Sequence, residues 1–165
     1  MYPTLRFFIF LLLSTALFAS QNSSDKKINI VADSQEFNYR TGVNIYEGNV
    51  KIDQGTTHLS ADRVTTKNNQ QHKILEAIAY GTKQLAKYTT IPKPGDPVLE
   101  AQAKIIKFYP PSETIVLEGD VIVTQGENSF HGPTIIYNMK DQTVTAPASK
   151  TGRATIIIDP DKLKS

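Results

Sequence analysis

A chain of 165 residues with 39% hydrophobic side chains is long enough for one domain with its own core and too short for two. Its formal net charge is +2 and its lysines and arginines form no cluster, which argues against nucleic acid as a partner. It contains no cysteine, so disulfides and thiolate metal sites are excluded and packing with strand pairing must hold the fold.

Arg6 precedes an apolar run from Phe7 to Leu13 that continues through Leu17 and Phe18 to Ala19, after which the chain turns polar at Ser20, Gln21 and Asn22. A basic start, an apolar centre and a small residue at the end predict a secretory signal peptide over residues 1–19. The run is shorter than the ~20 apolar residues a spanning helix needs, which places a retained membrane anchor second. Residues 20–27 form a polar lead-in to the folded part, expected over residues 28–160.

Ile28 and Ile30 share one face of a first strand over residues 28–32, and Arg40, Thr41 and Gly42 mark a turn before a long strand over residues 43–53. In that strand Tyr46, Gly48, Val50 and Ile52 alternate with Glu47, Asn49, Lys51 and Asp53, the period of two expected of a sheet with one wet face. Gln54 and Gly55 turn the chain back through Leu59 to Ala61, Asp62, Arg63 and Val64, giving a hairpin. Residues 74–79 are rich in helix formers, but the segment is short and strand-like segments surround it, so residues 73–80 are read as a strand closed by Gly81. A strand over residues 85–90 follows. Pro92, Pro94 and Pro97, which cannot donate to a ladder, then mark a boundary.

Beyond that boundary the unit recurs. Sliding the sequence by 71 residues lays Leu117, Glu118, Gly119, Asp120, Val121, Ile122 and Val123 over residues 46–52 without a gap, with Phe130 on Leu59 and Ile135 on Val64. The second copy reads as a strand over residues 98–109, a turn at Pro110 and Pro111, and a hairpin closed by Gln125 and Gly126. Short strands over residues 142–146 and 153–158 follow, stopped by Asp159 and Pro160, with a disordered tail over residues 161–165. Two repeated hairpin units with no helix after the signal predict an all-β fold, an antiparallel sandwich or a rolled, open barrel.

Catalytic chemistry finds little support. His58, His72 and His131 lie far apart without partners at metal-ligand spacing. Glu47 and Glu118 each precede a glycine at a position expected to face water. No phosphate-cradling loop, nucleophile elbow or cofactor motif is present, so no enzyme, metal or cofactor is expected. The sequence does carry a large one-sided apolar face in each copy, and periodicity alone reads such faces as core.

The motifs Ile28-x-Ile30-x-Ala32-Asp33, Glu47-Gly48-Asn49-Val50 with Gln54-Gly55, Ala61-Asp62-Arg63-Val64, Glu118-Gly119-Asp120-Val121 and Gly152-Arg153-Ala154-Thr155-Ile156-Ile157-Ile158 together resemble the LptA (OstA-like) family of lipopolysaccharide-transport proteins. The resemblance covers nearly all of the chain after the signal. It implies a β-jellyroll open along one side, which bridges the periplasm of a Gram-negative bacterium and passes lipopolysaccharide from LptC to LptD. It also implies that the apolar face lines a groove for the acyl chains of lipid A. In the first copy that face is Ile28, Ile30, Phe37, Tyr46, Val50, Ile52 and Leu59. Leu85 lies between the copies, and Ile106, Phe108, Leu117, Val121, Val123 and Phe130 form the face in the second. The expected interface is the two end strands, Ile28, Ile30 and Ala32 of one molecule pairing with Thr155, Ile156, Ile157 and Ile158 of another, or with matching edges of LptC- and LptD-like partners. An LptC-like protein retained on the inner membrane is the nearer alternative, and a sugar-acting β-sandwich hydrolase the more distant one.

Overall fold

The computed structural model describes residues 27–141 and 143–158. The expected signal peptide, nearly all of the lead-in, the Asp159-Pro160 stop and the tail lie outside the described residues.

Among the described residues twelve strands form: β1 Asn29–Val31, β2 Ser34–Asn38, β3 Val43–Gln54, β4 Thr57–Asn68, β5 Ile74–Tyr80, β6 Ala86–Thr90, β7 Leu99–Ala103, β8 Ile105–Tyr109, β9 Thr114–Gln125, β10 Asn128–Asn138, β11 Thr143–Thr145 and β12 Thr155–Ile157. All pairings are antiparallel and belong to one sheet, as expected of an all-β chain built from hairpins. The four long strands β3, β4, β9 and β10 each change partner midway, so the sheet folds into two leaves. In the first leaf the order is β2-β3-β4-β5-β8-β9-β10-β11, and in the second it is β1-β3-β4-β6-β7-β9-β10-β12.

The crease between the leaves is written into the repeated glycine pairs. Between Glu47 and Val50, β3 carries two residues opposite the single Asp62 of β4, and β9 does the same with Gly119 and Asp120 opposite Pro133. Gly48 and Gly119 both have φ +77°, and Asn49 and Asp120 follow at +48° and +51°. Two consecutive left-handed residues bend a strand sharply, and glycine followed by Asn or Asp is the pair that adopts them at least cost. The unbroken alternation expected through Gly48 is therefore corrected: Gly48 sits in a bulge, and the face reading shifts on the partner strand. Leu59 and Val64 both turn inward although five residues apart, which strict alternation forbids.

The shorter strands break at the same crease. Residues 98–109, expected as one strand, split at Lys104, whose N–H donates to Gly119 O at 2.8 Å and whose carbonyl accepts from Gly81 N at 2.8 Å. Asp33 N donates to Gly48 O at 2.9 Å in the equivalent place 71 residues earlier.

Opposite the first bulge, the Asp62 carboxylate accepts from the N–H groups of Thr82 and Lys83 at 2.6 Å each and from the Thr82 hydroxyl at 3.0 Å, fixing the loop that leads into β6. The Lys83 amide foremost, with those of Thr82 and Gln84, holds this carboxyl below the usual carboxylate range. A depressed folded-state value means the stabilisation is complete above the unfolded value of about 4 and is lost as pH falls through the folded one. The urea midpoint of Asp62→Asn should therefore trail the wild type at pH 7 and converge on it below about pH 4. A gap independent of pH would contradict this role.

Candidate functional site: the trough between the leaves

Strand register lays the inward side chains in rows parallel to the crease. Next to it, Val50, Ala86, Ala103 and Val121 of the second leaf meet Tyr46, Val64, Ala79, Ile106, Leu117 and Ile135 of the first, and all are buried. Close packing is complete here and makes the floor. One row farther out, the second leaf presents Ile30, Ile52, Leu59, Tyr88, Val123 and Phe130, which are only partly buried. The first leaf presents Phe37, Asn44, Thr66, Ala77, Phe108, Ile115, Tyr137 and Val144. Exposure climbs toward the rim and the ends, to 36% at Phe108, 46% at Phe37, 58% at Ile156 and 60% at Val144. The inward rows thus pass from a packed core to a partly exposed, mostly apolar strip, the trough, interrupted by Asn44 and Thr66 on the first leaf.

Of the residues expected to line a groove, Tyr46, Val50, Ile106, Leu117 and Val121 form the floor. Ile30, Ile52, Leu59, Phe108, Val123 and Phe130 stand on the walls, and Ile28 and Phe37 lie at one edge. Leu85 is half-buried in the loop before β6, one position out of phase with the inward Ala86 and Tyr88. Sequence reasoning missed Tyr88, whose hydroxyl hydrogen-bonds with Thr57 and Thr90 and whose burial pushes the phenol up. The two threonine hydroxyls lie 3.0 Å apart. The signal that could have found Tyr88 is its alternation with Ala86 and Thr90.

The charged candidates all sit on the outer face. Glu47 pairs with Arg63 at 3.1 Å and Glu118 with Lys107 at 2.8 Å, and that hydrogen bond raises the lysine. Hairpin register brings Asp53 against His58, Oδ1 to Nδ1 at 2.6 Å, an exposed pair the spacing in sequence did not suggest. Among the described residues no group of three His, Cys, Asp or Glu side chains could hold a metal ion.

Both ends of the roll are open. Among the described residues β1 and β2 pair only with β3, and β11 and β12 only with β10. These edges carry exposed Ile28, Val31, Phe37, Val144, Ile156, Ile157 and Ile158. The internal repeat says what would fit them. β12 lies on β10 as β6 lies on β4, and β1 lies on β3 as β7 lies on β9. Likewise β11 matches β5, and β2 matches β8. The joint inside the chain, β6 with β7 and β5 with β8, is therefore a template for joining the tail of one molecule to the head of another. Sequence reasoning named β1 and β12 as edges and missed the β2 and β11 half.

An open β-roll with an apolar trough, two unpaired ends and its charges outside defines a carrier of amphiphiles. A family model described as LptA/(LptD N-terminal domain) LPS transport protein matches residues 29–143. The chain belongs to this family, and a transport family replaces the hydrolase alternative. It is 31% identical over 142 residues to the lipopolysaccharide export system protein LptH of Pseudomonas aeruginosa, covering 86% of this chain and 77% of that one. To LptA of Escherichia coli K12 it is 28% identical over 153 residues, covering 92% and 80%. The crystal structure of LptH, described as the LptA-homologous periplasmic component of the lipopolysaccharide transport device of P. aeruginosa, superposes with a TM-score of 0.71 at 29% identity, covering 82% of this chain and 96% of that one.

Proposed function

We propose that this protein is a periplasmic bridge for lipopolysaccharide export, with residues 1–19 as its secretory signal, lipid A chains in the trough and copies joined head to tail. The observation that carries this reading is the trough itself, mostly apolar beyond its packed floor and running between two unpaired ends. Exposing an acyl chain of about a dozen carbons to water costs on the order of 10 kcal/mol, at about 0.8 kcal/mol per methylene. Crossing an aqueous compartment therefore requires a continuous apolar cover for the tails, while the sugars stay in water. Pairing of successive rolls extends the cover without interruption, because each leaf of one molecule continues into the same leaf of the next. Such a contact is heterologous and can propagate. LptC-like and LptD-like proteins with matching edges would terminate the array at the two membranes.

A photo-crosslinking residue at Phe108 or Ile30, on the walls, should capture lipopolysaccharide, whereas one at Lys51, exposed on the outer face, should not. Equal labelling at the three positions would defeat the assignment of the trough.

A further inference from the structure

The two copies of the repeat share their strand register and differ in the character of some inward residues. Asn68 N donates to Gly42 O at 2.8 Å and Met139 N to Glu113 O at 2.8 Å, so positions 71 residues apart are structural equivalents. On the second leaf their inward residues agree in character, as Val50 with Val121 and Leu59 with Phe130. On the first leaf they part at four positions. Gln35, Asn44, Thr66 and Asn68 stand where the second copy has Ile106, Ile115, Tyr137 and Met139. One wall of the trough thus carries polar side chains beside Phe37 along β2, β3 and β4 where the equivalent positions along β8, β9 and β10 are apolar.

These groups retain unused hydrogen-bonding capacity. Thr66 is only 8% exposed, and its Oγ1 accepts from Asn44 Nδ2 at 3.1 Å, which leaves the hydroxyl proton to donate. Asn68 Oδ1 is shielded from solvent and has no hydrogen-bond partner among the described residues. A cluster serving only to brace the sheet would satisfy its own members, since a buried polar group without a partner is destabilising. Beside Thr66 in register stands Ala77, a small side chain, and beyond it the half-exposed Phe108.

We infer that Asn44, Thr66 and Asn68 form a polar track that recognises the ester, amide or hydroxyl groups joining acyl chains to the sugar, so that the trough fixes the orientation of its cargo. The inference rests on the transport reading and deepens it. The linkage groups lie against the first copy, and the tails run over Phe108, Ile115 and Tyr137 of the second.

The test uses the full mature chain and two probes: lipopolysaccharide, and an apolar fluorescent dye that reports the trough without a linkage group. Thr66→Val should weaken lipopolysaccharide binding about fivefold to tenfold, the loss of one hydrogen bond, without weakening dye binding. Asn44→Ile, which copies the second repeat, should act in the same direction, and Thr66→Ser should keep the wild-type affinity. Weakening of both probes together, unchanged lipopolysaccharide affinity in both Thr66→Val and Asn44→Ile, or a loss in Thr66→Ser as large as in Thr66→Val would each overturn the inference. Failure of the wild type to bind lipopolysaccharide at all would overturn the transport reading beneath it.

Discussion

A disulfide-linked dimer should form when a variant carrying Ile156→Cys is mixed with one carrying Ile30→Cys and oxidised. The register comes from within the chain. Tyr88 of β6 faces Ala101 of β7, and the repeat maps Tyr88 onto Ile156, through their shared partner positions Leu59 and Phe130, and Ala101 onto Ile30. Directly opposed residues on antiparallel strands have Cα atoms about 4.5–5.5 Å apart, within the range a disulfide spans. The natural chain has no cysteine, so the only product available is the designed bond or a random one. Thr155→Cys with Ile30→Cys is the control, because neighbouring residues on a strand point to opposite faces. Its yield should be several-fold lower. Equal yields from the two pairs would show that the ends do not join in this register.

The second large effect concerns the crease. Gly48→Val should destabilise the fold by about 3 kcal/mol or more, lowering the urea midpoint by about 1–2 M. Two costs combine. The left-handed φ of +77° is unfavourable for any L-residue and worst for a β-branched one, and the new Cβ would run into the Asp33 side chain. That carboxylate cannot simply move away, since it accepts from Asn49 Nδ2 at 2.8 Å and its backbone N–H ties β1 and β2 to the bulge. Gly119 has the same φ, but its Cβ would meet the flexible Lys104 side chain. Gly119→Val should therefore cost only the backbone part, about half as much. Equal losses at the two glycines would mean that Asp33 is not the rigid element described.

The reading of the amphiphile trough draws on residues that the sequence located unevenly. Tyr46 with Leu117 and Val50 with Val121 were legible as paired inward positions because each repeats at the same offset, whereas Val64 and Ile135 matched in sequence but turn inward only because of the bulge. Their place on the packed floor, and that of Phe108 and Ile30 on the walls, was not, because alternation assigns a face but no distance from the crease. Leu85 shows the same limit. In a loop, with no ladder to set its phase, its neighbours Ala86 and Tyr88 took the inward positions.

By itself the sequence determined the strands, the two hairpins and the internal repeat, since alternation, turn glycines and a fixed offset are local properties of the chain. It also carried the crease, as two Gly-Asn or Gly-Asp pairs, though their meaning depends on a left-handed bend that alternation cannot express. The tertiary structure alone decided that four long strands serve two leaves and that the inward rows pass from a packed core to a trough. It also decided that one wall is polar along part of its length and that β6 with β7 offers the template for the proposed joint between molecules. Those features arise from register across strands far apart in the chain, where a single bulged residue shifts which side chains meet.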